Sequence, residues 1–194
     1  MNHETVFVRF GACRFRVQRW NKPESTHETT LVMLHGFTGD GLDFEALAEQ
    51  LDVTTIIAPD LLGHGGTSAP ESPLELYTIP QQLVQLEHLL DSLGAHKPHL
   101  LGYSMGGRIA LQMAVHFEDH FRSLTLIGAT PGLRTPGERE ARRGATHADA
   151  PQEYPEVGVY HPRTDQLISE SARLLPRLKG AHGRVGLLML RSYL

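Results

Sequence analysis

The sequence predicts an α/β fold: a mostly parallel sheet covered by helices, with an antiparallel hairpin at its N-terminal end. Three observations carry this. Residues 5–10 and 13–18 alternate apolar and polar around Gly11-Ala12, the pattern of a short hairpin. Four short apolar runs, residues 31–34, 53–58, 99–101 and 124–127, do not alternate, as expected of parallel strands buried on both faces. Between the runs, apolar residues recur three and four apart, so strands alternate with helices.

The elements follow in order. After the hairpin, residues 21–29 are polar and include Pro23, which reads as a loop. Phe44, Leu47 and Leu51 mark a short helix. Leu83, Leu86, Leu90 and Leu93 mark a longer one that Gly94 stops, and Ile109, Met113 and Phe117 mark a third. Past Leu133 the character of the chain changes. Residues 138–143 form a charged helical stretch, whereas 147–163 are rich in His, Pro and Glu with little periodicity. Residues 167–178 suit one more helix and 186–190 a short strand. The chain is therefore divided into a core, residues 1–133, and a partial cap with an atypical tail, residues 134–194. No internal repeat is present.

Composition narrows the function classes. With 194 residues, 40% hydrophobic and 21% charged, the chain can bury a core and suits one domain with a small appendage. A net charge of −4 offers no footprint for nucleic acid. No apolar run reaches the ~18–20 residues needed to cross a bilayer, and the N-terminus lacks a charged start followed by an apolar segment. The single cysteine, Cys13, forms no internal disulfide, so a cytoplasmic protein is expected. Nothing requires a cofactor. His116 and His120 stand four apart near a helix end, but no third metal ligand accompanies them.

The chemistry concentrates in Gly102-Tyr103-Ser104-Met105-Gly106, a G-x-S-x-G sequence between a strand run and a helical run. A serine there must take a sharp turn that lifts its hydroxyl to the carboxyl end of the sheet. The Met105 amide, at a helix N-terminus, is placed to donate to an oxyanion. The plain alternative is that Ser104 only caps the helix. A second sheet-end loop, His35-Gly36-Phe37-Thr38-Gly39, offers the Phe37 amide as the other donor. A third runs from Pro59 through Asp60 and His64 to Ser68. Asp60 and His64 are of catalytic types, but their place in a tight glycine loop predicts local hydrogen bonding.

These three segments, in this order and spacing, resemble the α/β-hydrolase superfamily over residues 30–130. The resemblance implies an α/β-hydrolase fold, incomplete at its C-terminal end. One subfamily is closer still. HGFTGD, GYSMGGRIAL and especially IGATPGLRTPGEREARR are similar to the menaquinone-pathway 2-succinyl-6-hydroxy-2,4-cyclohexadiene-1-carboxylate synthases. In that family a serine of a Ser-Asp-His triad acts as a base. It takes a proton from the ring of 2-succinyl-5-enolpyruvyl-6-hydroxy-3-cyclohexene-1-carboxylate, and pyruvate is eliminated. The resemblance implies Ser104 as the catalytic serine, the Phe37 and Met105 amides as oxyanion donors, and Arg108 and Arg142 as contacts to a polycarboxylate substrate. Arg139 and Arg143 are weaker candidates. Guanidinium forks suit such a substrate, since they match carboxylate geometry. The plain alternative for each arginine is a solvated or salt-bridged helix face.

The tail departs from the family pattern. A serine needs a histidine to take its proton and a carboxylate to orient that histidine, in the order Ser, Asp, His. Asp165 and His182 have the right order, yet neither follows a clear strand. The simplest expectation is a truncated member, or one whose reading frame changes near Gly144. Two other readings stay open: an ester or carbon–carbon bond hydrolase using Ser104 as a covalent nucleophile, and a catalytically inactive fragment. Oligomeric state is not legible.

Overall fold

The structure, a computed structural model, describes residues 1–25 and 28–129 and the single positions 137 and 140. The expected division at 133/134 lies outside them, as do the elements placed in the tail apart from Glu140, a helical position of the 138–143 stretch.

The hairpin forms as its alternation requires. Strands β1 (Asn2–Phe10) and β2 (Cys13–Asn21) pair antiparallel from Asn2↔Asn21 to Phe10↔Cys13, with Gly11 turning at φ +56°. On β2, Cys13, Phe15, Val17 and Trp20 are buried, and β1 is largely exposed. The four apolar runs become β3 (Thr30–Leu34), β4 (Thr55–Pro59), β5 (His99–Tyr103) and β6 (Ser123–Ile127). They join the hairpin in one sheet of order β1-β2-β4-β3-β5-β6, with β3 parallel to both β4 and β5, and β5 parallel to β6. The fourth strand starts at Thr55 rather than Val53, because its pairing with β2 begins at Asn21↔Thr55.

Alternate residues of the central strands serve two cores. Val32, Leu34, Ile57 and Leu100 pack with α2 (Ile79–Ser92) and α3 (Met105–His116). Leu31, Met33, Ile56, Ala58 and Leu101 pack with Phe44 and with Ala48 of α1 (Glu45–Gln50) on the other face. Each fully buried aliphatic side chain contributes about 1.5–3 kcal/mol of transfer free energy, which is why these runs lack a polar alternation. The short helix marked by Phe44, Leu47 and Leu51 begins as a 3-10 turn, Gly41–Phe44, that the Asp40 side chain caps through Leu42 N–H at 2.8 Å. The stop at Gly94 is a Schellman turn: Gly94, at φ +67°, donates to the Asp91 carbonyl at 3.0 Å, and Ala95 donates to that of Leu90 at 2.9 Å.

The strand order places the site. From β3 the chain moves to β4 on one side, and later to β5 on the other. The crevice of such a sheet opens at the carboxyl ends of the two strands that flank this reversal. Leu34 pairs with Gly102, so both strands end at the same level. Residues 35–37 therefore meet residues 103–105.

Candidate active site

Between β5 and α3 the chain turns on Ser104, whose φ of 50° and ψ of −110° lie outside the regions open to L-residues at low cost. Such a conformation costs on the order of 1–3 kcal/mol and persists where its surroundings over-determine it. Here the Ser104 N–H donates to the Ile127 carbonyl at 2.9 Å, and its carbonyl accepts from Arg108 N–H at 3.2 Å. The first turn of α3 also lies hard against the strand ends. A Cβ on Gly106 would stand 2.2 Å from the Leu34 oxygen, and one on Gly102 would stand 2.5 Å from the Gly106 oxygen. Only hydrogen fits at either position. Ser104 occupies the N-cap position, yet its side chain makes no capping bond, so the plain helix-cap alternative does not describe it. The residue is half-buried, at the mouth of the crevice.

The loop after β3 faces it. A Cβ on Gly36 would come within 3.6 Å of the Ser104 Cβ. His35 is fully buried beneath this loop, and its ring is held at both nitrogens. Nε2 accepts the Leu61 N–H at 2.9 Å, which leaves Nδ1 to carry the proton and donate to the Gly36 carbonyl at 2.7 Å. Burial pushes the His35 pKa down, in keeping with a neutral ring. The amides of Phe37 and Met105 donate to no acceptor among the described residues.

The loop after β4 is a hydrogen-bond frame, as its glycines suggest. The buried Asp60 carboxylate accepts from Gly41 N–H at 2.8 Å, Gly66 N–H at 2.8 Å and Arg16 Nε at 2.5 Å. Arg16 also reaches Asp40 at 2.7 Å. The hydrogen bond it donates to Asp60 holds the Arg16 guanidinium above its ordinary pKa. His64 points Nε2 at the Phe37 carbonyl, 2.7 Å away, and Nδ1 at the Leu62 carbonyl, 3.1 Å away. The rings of His35 and His64 are thus both committed to backbone. Among the described residues no histidine or carboxylate is bonded to the Ser104 hydroxyl.

Arg108 stands one turn into α3 and is exposed. Arg142, the weaker Arg139 and Arg143, and the triad candidates Asp165 and His182 all lie outside the described residues. Tyr103 is a residue that sequence reasoning passed over. It is 46% exposed, and its ring lies 3.0 Å from where a Gly36 Cβ would stand, which makes it a wall of the crevice beside Ser104. The available signal was its place beside the serine at the end of a strand. His116 hydrogen-bonds the Gln112 carbonyl at 2.9 Å, while His120 stacks on Phe117. No cluster suited to a metal ion occurs among the described residues, and none of their helices is long and apolar enough to cross a membrane.

Comparison with known proteins agrees with this geometry. The family model for the alpha/beta hydrolase fold matches residues 29–179. A Bacillus subtilis protein provisionally named as a 2-succinyl-6-hydroxy-2,4-cyclohexadiene-1-carboxylate synthase is 42% identical over 112 residues, 58% of this chain and 40% of that protein. The Klebsiella pneumoniae enzyme of that name is 34% identical over 58% of this chain and 43% of its own length. Lipase 3 of a Moraxella species is also 34% identical, over 62% of this chain and 38% of the lipase. The alignments thus span about two fifths of these relatives. Among solved structures, epoxide hydrolase A from Mycobacterium thermoresistibile superposes with a TM-score of 0.64 at 25% identity, over 76% of this chain and 46% of the other. Since the family model covers well over half of its length, and the sheet order and serine turn agree with it, the chain belongs to the alpha/beta hydrolase fold family.

Proposed function

We propose that this chain carries the serine side of a carbon–oxygen lyase site that eliminates pyruvate from 2-succinyl-5-enolpyruvyl-6-hydroxy-3-cyclohexene-1-carboxylate. The observation that carries the reading is Ser104: a strained serine at the crevice mouth whose hydroxyl caps no helix, beside amides that no described group accepts from. The similarity to synthases of this name supports the choice of substrate. In this reading Ser104 Oγ, relieved of its proton by a histidine, takes a proton from a ring carbon. The electrons of that C–H bond form a ring double bond as the C–O bond to the enolpyruvyl group breaks. The leaving enolate takes up a proton and departs as pyruvate. The Phe37 and Met105 N–H groups stabilise the negative charge that develops as the C–H bond breaks. No acyl-enzyme forms. Arg108, on the turn of α3 after Ser104, grips a substrate carboxylate, and Arg142 a second.

Both ring nitrogens of His35 are hydrogen-bonded and both of His64 face backbone carbonyl oxygens rather than Ser104, so we assign the base to a residue outside the described ones. Asp165 and His182 have the chain order for it. Pyruvate release from the enolpyruvyl substrate tests the reading. Wild-type protein is expected to release it and Ser104→Ala to release none, while Arg108→Ala raises KM more than it lowers kcat. Undiminished turnover by Ser104→Ala, or no pyruvate from the wild-type chain, would overturn it.

A further inference from the structure

The Gly36–Phe37 peptide is the part of the crevice that must face the right way, because its N–H is one of the two proposed oxyanion donors. A trans peptide points its carbonyl and its N–H in opposite directions. Whatever holds the Gly36 oxygen therefore aims the Phe37 N–H. Two donors hold that oxygen: His35 Nδ1 at 2.7 Å and Gly39 N–H at 3.1 Å. Gly39 belongs to the same short loop and moves with it. His35 does not: its ring is fully buried, and Leu61, in the loop after the neighbouring strand β4, pins Nε2 at 2.9 Å. The backbone of His35 reaches in a third direction, since its carbonyl accepts the Gly106 N–H at 3.0 Å from the first turn of α3. One residue thus registers the loops after β3, β4 and β5 against one another.

We infer that His35 is a positioning residue, whose Nδ1–H sets the plane of the Gly36–Phe37 peptide and so aims the Phe37 N–H toward the space in front of Ser104. The inference rests on the reading of that amide as an oxyanion donor. It makes the proton on Nδ1, rather than the bulk of the ring, the feature the site depends on. Leu61 N–H fixes which nitrogen carries that proton, so the loop after β4 governs the site without touching substrate.

Two substitutions separate these roles. In His35→Asn the amide nitrogen falls near the place of Nδ1 and keeps the donor to Gly36, while the Leu61 contact is lost. In His35→Gln the amide oxygen reaches the place of Nε2 and keeps the Leu61 contact, while the Gly36 donor is lost. Losing a single oxyanion donor costs about 100–1,000-fold in kcat, and a misaimed one is expected to cost about 10–100-fold. We expect His35→Gln to fall by that factor with little change in KM, and His35→Asn to recover kcat to within about threefold of wild type. Equal kcat in the two variants would overturn the inference. Ring nitrogen NMR of the wild-type protein is an independent check. It should report a protonated Nδ1 and a bare Nε2 at neutral pH, and the opposite tautomer would overturn the inference. Failure of the wild-type chain to release pyruvate counts against the lyase reading alone. The inference is then decided by the ring spectrum and by the Phe37 amide resonance, which should shift in His35→Gln and hold in His35→Asn.

Discussion

The carbonyl of His35 accepts the N–H of Gly106 at 3.0 Å, which locks the loop that bears Phe37 onto the first turn of the helix that follows Ser104. The approach is so close that a Cβ on Gly106 would stand 2.2 Å from the Leu34 oxygen and 2.5 Å from that of His35. Both neighbours are backbone and cannot swing aside. Gly106→Ala is therefore expected to destabilise the fold by about 3 kcal/mol. Urea unfolding measures this, and an unchanged midpoint would show that the two loops can separate freely.

The turn at Ser104 stores strain that glycine would relieve. Ser104→Gly removes the Cβ that makes φ 50° costly, against the extra chain entropy a glycine brings. The balance is a gain of about 1 kcal/mol in stability, with loss of pyruvate release. A thermal unfolding midpoint at or below that of wild type would show that the turn is not strained.

Asp60 answers three donors with one buried carboxylate. Asp60→Ala would leave Arg16 Nε and the amides of Gly41 and Gly66 without their acceptor. Breaking a buried pair in this way typically costs about 3–5 kcal/mol, and chemical denaturation should show a loss of that size. Asp60→Asn keeps an acceptor oxygen and should lose less. A loss below 1 kcal/mol on the alanine change, about that of an exposed pair, would contradict the buried frame.

Acid should weaken the fold through two histidines. Burial lowers the folded-state pKa of His35 and of His99 below the ordinary 6.5, with Arg122 lowering His99 further. Below 6.5 the unfolded chain then binds protons that the folded chain refuses, so stability falls as pH falls toward the depressed folded values. Above 6.5 both states are neutral at these rings and the contribution is fully present. Unfolding free energy should thus drop from about pH 7.5 to about pH 5.5, and the drop should be shallower in His35→Asn. Parallel curves for the two proteins would remove His35 as a source.

Much of this architecture was legible along the chain. Val32 and Leu34 face one core while Leu31 and Met33 face the other, so both sides of β3 demand apolar residues and the run shows no alternation. The hairpin around Gly11 and the stop at Gly94 were equally plain, because a positive φ favours glycine. Ser104 could be placed at a strand-to-helix turn because its flanking glycines are a steric requirement written into the sequence.

The surroundings of Ser104 were less legible. His35-Gly36 reads as an ordinary loop dipeptide, and nothing near it in sequence announces Leu61, whose N–H arrives from the loop after β4 at 2.9 Å. Arg16, Asp40 and Asp60 are likewise distant along the chain and meet only through the sheet. Tyr103 gained its role as a wall from Gly36, whose loop lies against it.

The sequence by itself determined the strands, the helices and the residue that turns between them, because burial periodicity and glycine sterics act over a few neighbouring residues. Only the tertiary structure decided which nitrogen of His35 carries a proton and where the Phe37 amide points. Those depend on donors and acceptors from three separate loops, which come within hydrogen-bonding distance only when the sheet has brought their strand ends together.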